Sequence, residues 1–381
     1  MTTHRAIVDA LALAADAGES TVLATVVSVT GSSYGGVGTR MVVRVDGSTV
    51  GVVSGGCIET DLAEHARDVH TRGTAKVVTY DTRGDEDAVW GLGLGCNGLI
   101  DVLLEPLPPP AAAGVAVLLE QALDARTPLA VATVVQAIPG ASEPVVGAHA
   151  LVGGGDIVTT GNWGDRSLLA PIASDYGAAI EAGRRGLVRE YGSTKVAFEV
   201  VAPAVRLVIC GSGPDVTALV RLGSGLGWNL TVVDHRPVEH AHPERFPGAR
   251  VAECQEARRL EDAVGITPHT AAVVMSHHYA RDLDYVRALL ASEAAYIGVL
   301  GPRARAERMI SEMGSNGEGA GAGERLLAPI GLDLGGEGPD AIGLAIIAEV
   351  SAVMNGRSGG HLRDRRAPLH SAAFGSRSER G

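Results

Sequence analysis

Apolar residues recur along this chain with two periods, and the stretches they mark change character near residue 204. Residues 4–17 carry the three-and-four spacing of a helix and stop at Gly18. Residues 21–29, TVLATVVSV, form a β-branched run that predicts a strand. Residues 40–53 read as a hairpin, RMVVRV then Asp46-Gly47 then STVGVV, because Asp-Gly between two β-rich runs is a strong turn signal. Ile58, Leu62, Ala66 and Val69 return to helical spacing and end at Gly73. Residues 75–80 and 99–104 predict further strands, and Leu107-Pro108-Pro109-Pro110-Ala111 reads as a linker or stiff surface crossing.

The pattern then repeats. Ala24-Thr25-Val26-Val27 matches Ala132-Thr133-Val134-Val135, and Val37 to Val43 matches Val146 to Val152. Residues 99–106, LIDVLLEP, resemble residues 196–203, VAFEVVAP. A degenerate duplication with repeats 1–108 and 114–203 follows, packed as one lobe over 1–203. From 204 a different grammar begins. RLVIC (206–210), LTVVD (230–234), AAVVMS (271–276) and YIGVL (296–300) are continuous apolar strands alternating with helices near 280–291, 303–313 and 339–355. Strands apolar on both faces, separated by helices, predict a parallel sheet covered on both sides. The expected fold class is α/β: an N-terminal β-rich α+β lobe with a degenerate internal repeat, followed by a Rossmann-like doubly wound domain over 204–356. Residues 314–323 read as a Gly-rich loop, and 357–381 as a flexible basic tail holding Arg363, Arg365 and Arg366.

Composition narrows this picture. The chain of 381 residues is long enough for two domains, and 46% hydrophobic content with 3% aromatics means a core of Ala, Val, Leu and Ile. A net charge of -12 argues against a nucleic-acid partner. Four cysteines are too few for a disulfide scaffold. Asp9 and Asp16 interrupt the first apolar stretch, so no signal peptide is expected, and no apolar run reaches the roughly 18 residues of a membrane span. A cytoplasmic protein with no membrane partner is the expectation.

Two of the four cysteines stand in glycine-rich loops, Ser54-Gly55-Gly56-Cys57-Ile58-Glu59 and Gly93-Leu94-Gly95-Cys96-Asn97-Gly98. Cys57 opens a helix whose dipole, with a neighbouring Arg such as Arg40, favours a thiolate able to bind a soft metal, carry sulfur or attack a disulfide. Glu59 is a candidate base or a first-turn carboxylate that steadies the helix. The second repeat has Asn162-Trp163-Gly164-Asp165 roughly where the Cys57 loop should be, so the first repeat is expected to hold the chemistry. In the second domain Gly211-Ser212-Gly213 joins a strand to a helix, and Asp234 ends the next strand, 21 residues after Gly213. That is the context of the dinucleotide fingerprint, although Val216 stands where its third glycine would be and Pro214 removes one helix N–H. His277 and His278 follow the strand AAVVMS, at the carboxyl end of the sheet where such folds bind ligands. There they are candidates for ligand contact or proton transfer, or else for a helix start with Asp282 nearby.

Taken together, these motifs resemble the XdhC/CoxI family, the maturation factors of molybdenum hydroxylases such as xanthine dehydrogenase and carbon monoxide dehydrogenase. The likeness rests on Gly38 to Val43, Asp46-Gly47, the two cysteine loops, Val233-Asp234-His235-Arg236-Pro237, Phe246-Pro247, Met275-Ser276-His277, Tyr296-Ile297-Gly298, Pro329 to Asp333 and Ala348-Glu349. It implies a homodimeric chaperone, rather than a catalyst, that binds the molybdenum cofactor, supports its sulfuration by a cysteine desulfurase and inserts it into the apo-hydroxylase. It further implies Cys57 and Cys96 near the molybdenum. Arg40, Gly211, Gly213, Asp234, Arg236 and His277 would be the other cofactor contacts, with the cargo a molybdopterin, in many bacteria extended to a dinucleotide. The sequence departs from the family where Pro214 replaces a histidine, and at Gly301-Pro302-Arg303 and Pro339-Asp340-Ala341. Two alternatives remain open. One is an NAD-dependent oxidoreductase in which Asp234 selects NAD over NADP and His277 is the acid/base, though no Tyr-x-x-x-Lys pair stands in the domain of the fingerprint. The other is a thiol-redox protein using Cys57 and Cys96.

Overall fold

The computed structural model describes residues 4–31, 33–81, 98–140, 142–181, 186–315 and 325–366, which form two compact units divided between Pro203 and Ala204. The first unit is built twice from the same order of elements. The first repeat runs α1 (His4–Asp16), β1 (Thr21–Gly31), β2 (Arg40–Arg44), β3 (Thr49–Gly51), α2 (Glu59–Arg72), β4 (Lys76–Asp81) and β5 (Gly98–Leu107). The second runs α3 (Pro109–Asp124), β6 (Leu129–Gln136), β7 (His149–Val152), β8 (Val158–Thr160), α4 (Leu169–Glu181), β9 (Gly186–Tyr191) and β10 (Thr194–Val201). Each repeat folds into a five-stranded antiparallel sheet, ordered β3-β2-β1-β5-β4 and β8-β7-β6-β10-β9. The duplication legible in the sequence is therefore present in three dimensions.

Val22, Ala24 and Val26 of β1 pack under Ile58, Leu62, Ala66 and Val69 around α2, while Val27 packs with Leu103 and with Ala197 of the other repeat. Coverage of both faces explains why β1 is an unbroken apolar run rather than an alternating one. The Asp46-Gly47 turn forms with Gly47 at φ 84, but the strands beside it are shorter than the expected 40–53 hairpin. The proline run is not a linker. Pro108 precedes α3 and Pro109 opens it, a position where a missing N–H costs nothing, and β5 runs unbroken to Leu107.

One register differs from the sequence alignment. Thr25 pairs with Arg40 as Thr133 pairs with His149, which equates β1 with β6. Leu23 then faces Glu105 and its equivalent Val131 faces Glu199. Glu105 and Glu199 are thus counterparts, three residues off the pairing of 99–106 with 196–203. Apolar runs align with themselves at several offsets, so only the buried charges mark the true one.

The second unit holds a six-stranded parallel sheet of β11 (Arg206–Cys210), β12 (Asn229–Asp234), β13 (Ala249–Glu253), β14 (Thr270–Val274), β15 (Tyr296–Val299) and β16 (Leu326–Leu327). Its order, β13-β12-β11-β14-β15-β16, is the doubly wound Rossmann arrangement, with the direction of winding reversing between β11 and β14. Helices α5 (Val216–Gly225), α6 (Leu260–Val264), α7 (Tyr279–Leu290), α8 (Arg303–Ser315) and α9 (Pro339–Met354) complete it. The short β13, β16 and α6 carried too little periodicity to be read from sequence. Of the expected tail, 357–366 is described, with a short turn at Leu362–Asp364, and the remainder lies outside the described residues, as does most of the Gly-rich loop. No helix among the described residues is long and apolar enough to cross a membrane.

Candidate functional site

In the first unit the candidate site is the loop between β3 and α2. Cys57 is exposed there, two positions before the helix begins. What shapes the loop is Glu59. Its carboxylate accepts hydrogen bonds from the backbone N–H groups of Val53 (3.1 Å), Ser54 (2.7 Å), Gly56 (2.9 Å) and Ile58 (3.2 Å) and from the Ser54 hydroxyl (2.6 Å). Ser54 Oγ in turn accepts from the N–H groups of Cys57 and Ile58, both at 3.0 Å. Burial pushes the Glu59 carboxyl up, but these bonds from Ser54 and the neighbouring amides outweigh it and hold the group below the ordinary carboxylate value. Glu59 therefore acts as a clamp, and the expected role as a base does not fit a carboxylate so fully engaged. Gly55 and Gly56 turn the loop at φ 81 and φ 111, conformations glycine adopts without strain. The ring of Tyr34, exposed on the β1–β2 loop, lies against Gly55.

Arg40 does not serve this loop. It is buried, and its guanidinium binds Glu199 of the second repeat through Nη1 at 3.1 Å and Nη2 at 2.5 Å, as well as the Gly38 carbonyl. The expectation of Arg40 as a cofactor contact or thiolate partner is corrected: a desolvated Arg facing a desolvated Glu must pair with it. The reciprocal pair joins His149 Nε2 to Glu105 at 2.8 Å, with His149 Nδ1 on the Thr133 hydroxyl. Cys96 and its glycine loop up to Asn97 lie outside the described residues. The matching loop of the second repeat borders a depression of about 160 Å³ lined by Glu143, Trp163 and Asp165. That is smaller than the roughly 300 Å³ at which cofactor pockets begin.

In the second unit the candidate residues gather at the reversal of the sheet. Gly211, at φ 131, follows β11 so closely against Met275 and Ser276 that a Cβ would collide with their backbone. His277 closes over Gly213 from the end of β14 and places Nε2 3.5 Å from Asp215. His277 has φ 60, a left-handed conformation uncommon outside glycine and a mark of a constrained site. Asp234 is buried and accepts from the Ser212 hydroxyl, the Arg236 N–H (2.9 Å), Arg236 Nε (3.0 Å) and Arg236 Nη2 (2.8 Å). Burial pushes its carboxyl up, yet Arg236 and Ser212 outweigh that and hold it far below the usual range. The carboxylate expected to meet ribose hydroxyls is already engaged by its own chain. The first amides of α5, Val216 and Thr217, donate to the carbonyls of Gly213 and Pro214. Asp282 is wholly buried and holds Ser276 N (3.0 Å), Ser276 Oγ (2.5 Å) and Arg305 (2.5 Å), which makes it a builder of the α7 start. Arg245, which sequence reasoning missed, lays its guanidinium on the Ser212 and Gly213 carbonyls at 3.4 and 3.1 Å and over the Phe246 ring. The Phe246-Pro247 motif beside it was the available signal.

A duplicated, cysteine-bearing β-rich unit joined to a Rossmann unit defines a recognisable class. Residues 207–350 match the XdhC Rossmann domain and residues 14–81 match the XdhC and CoxI family. The chain belongs to the XdhC/CoxI family. It is 29% identical to a probable xanthine dehydrogenase subunit from Bacillus subtilis (strain 168), covering 87% of this chain and 92% of that protein. It is 24% identical to the molybdenum cofactor insertion chaperone PaoD of Escherichia coli (strain K12), covering 92% and 88%. Among solved structures it is similar to a crystal structure described as a xanthine dehydrogenase from Bacillus halodurans, with a TM-score of 0.72 and 28% identity over 93% of this chain and 97% of that one.

Proposed function

We propose that this protein is an accessory chaperone that carries the molybdenum cofactor and inserts it into a molybdenum hydroxylase of the xanthine dehydrogenase type. The observation that carries the reading is an exposed cysteine on a clamped glycine loop, in a chain similar over most of its length to an insertion chaperone. The cargo is anionic, with soft sulfur chemistry at its metal end. The first unit offers Cys57, a soft ligand for molybdenum or for a sulfur atom in transit. Rigid amides around Glu59 keep that sulfur presented at no folding cost when the cargo arrives. The second unit offers Arg236 and Arg245 beside the Gly211–Gly213 turn, where guanidinium N–H groups suit phosphate oxygens. A surface thiol lets the cargo leave again, as insertion requires. Sulfuration with a cysteine desulfurase, a dinucleotide form of the cargo and a homodimer belong to the same reading.

The oxidoreductase alternative is less well supported, because Asp234 is held by Ser212 and Arg236 rather than open to a ribose. To test the proposal, the protein is purified and its bound small molecules identified by mass spectrometry, then added to apo-hydroxylase. Cofactor should copurify and activation should follow, and both should fall about ten-fold or more in Cys57→Ala and Cys96→Ala, as loss of a metal–ligand interaction predicts. A parent that neither carries cofactor nor activates the enzyme defeats the reading.

A further inference from the structure

We infer that Tyr34 is a stacking platform for the planar heteroaromatic ring of the cargo, a pterin on the reading above, on which this inference rests. Aromatic side chains are scarce here, 3% of residues, and such large apolar surfaces are normally buried. Among the described residues Tyr34 is the one Phe, Trp or Tyr that is exposed, at 46%. Its ring lies against Gly55, where a Cβ would sit 3.3 Å from the ring carbons Cδ2 and Cε2. Glycine there supports the ring while adding no bulk beside it. The support is stiff on both sides: Glu59 fixes the Gly55 loop, and Ser33 Oγ donates to the Gly35 carbonyl at 2.5 Å just past the ring.

The second repeat shows that the fold does not need an aromatic at this place. The bonds Gly38 N to Val26 O and Thr39 N to Gly36 O recur as Gly147 N to Val134 O and Ala148 N to Val145 O. That register puts Glu143 where Tyr34 stands. In the second repeat Gly164 packs against the backbone of Ser142 and Glu143, whereas Gly55 packs against the side-chain ring of Tyr34. The turn is thus built in both repeats, and an exposed ring appears only in the repeat whose loop carries Cys57. A ring packed on Gly55, two positions before an exposed soft sulfur, matches a ligand that combines a flat ring system with a metal–sulfur centre.

The test uses the full chain as parent, Tyr34→Phe, Tyr34→Ala and Tyr34→Glu, titrated with molybdenum cofactor released from a purified molybdenum enzyme. Cys57 alkylation is timed in parallel as a report on the loop. Tyr34→Ala and Tyr34→Glu should weaken binding about ten-fold, Tyr34→Phe should stay within about two-fold, and alkylation should be unchanged. Parent-like binding by Tyr34→Ala overturns the inference while leaving the chaperone reading standing. So does equal loss in Tyr34→Phe, which assigns the effect to the hydroxyl, or an altered alkylation rate, which assigns it to the loop. A parent that binds no cofactor defeats the chaperone reading itself.

Discussion

The two repeats of the first unit share one scaffold and differ in how they treat one loop. In the first, Glu59 gathers the amides of Val53, Ser54, Gly56 and Ile58 and leaves Cys57 at the surface. In the second, the loop is tied by short local bonds, Gly164 N to Asn162 and Ser167 N to Asp165, and Trp163 is buried with its indole N–H on the His149 carbonyl. Elsewhere several side-chain contacts recur in both repeats. Tyr80 of β4 bonds Asp61 of α2 at 2.5 Å, and Tyr191 of β9 bonds Asp175 of α4 at 2.6 Å. Arg40 reaches Glu199 across the repeats, and His149 reaches Glu105 back. The difference teaches that scaffold and loop are separable. The buried cross-repeat pairs hold the unit together, and a surface loop can then change without disturbing them.

That separation can be broken most severely at its ionic pair. Arg40→Ala should cost about 3–5 kcal/mol, since it strands a buried carboxylate, whereas the paired replacement Arg40→Met with Glu199→Leu should recover most of it. Urea denaturation of the three proteins decides the point, and an Arg40→Ala protein as stable as the parent would sink the idea. His149→Ala should cost less, about 1–3 kcal/mol, as the loss of a hydrogen-bonded partner to Glu105.

Next in size is a backbone test. Gly38 (φ 87) and Gly147 (φ 89) occupy equivalent turns, and each faces the carboxylate from the opposite repeat. A Cβ on Gly38 would run into several atoms of Glu199, while one on Gly147 would meet Glu105 Oε1 at 2.8 Å. Gly38→Ala should therefore destabilise by roughly 2–3 kcal/mol and Gly147→Ala by less. Equal melting temperatures for the two variants would contradict this ranking.

Smaller still is the loop clamp. Glu59→Gln should cost about 1–2 kcal/mol and change the alkylation rate of Cys57, while Asp165→Asn in the second repeat should barely register. The mildest effect is on pH dependence. Glu59 and Glu199 both have carboxyls held below their ordinary value of 4.5 in the folded chain. Their stabilisation is complete above that value and is lost as pH falls through the lower folded values. The urea midpoint should therefore decline below about pH 5, and Glu59→Gln should make the decline shallower. A decline of unchanged steepness in Glu59→Gln would remove Glu59 from this account.

Much of the architecture was legible because it follows local rules. The β-branched runs, the helical spacing after Cys57 and the glycines that end helices all act over a few residues. The switch from antiparallel repeats to a parallel sheet was visible at residue 204 for the same reason. The candidate site was legible only in outline. Cys57 and the Gly211–Gly213 turn announced themselves through glycine, but Tyr34 sits in an irregular loop and Arg245 in a single 3-10 turn, Pro243–Arg245, and no periodicity marks either. The prolines at 108–110 misled because the same residues suit a linker and the first turn of a helix, and only the apolar partners of α3 choose between them.

The amino-acid order alone was enough to set most of the longer elements, the duplication, the Rossmann winding and the exposed glycine loop, because each depends on neighbours close in the chain. Tertiary structure alone decided where the charges went. Arg40 and Glu199, and Asp234 with Arg236 and Ser212, read as candidate ligand contacts or as nothing in particular until folding removes their water. Once desolvated they must find a counter-charge within reach, and which one is nearest depends on strands more than a hundred residues apart for Arg40 and Glu199.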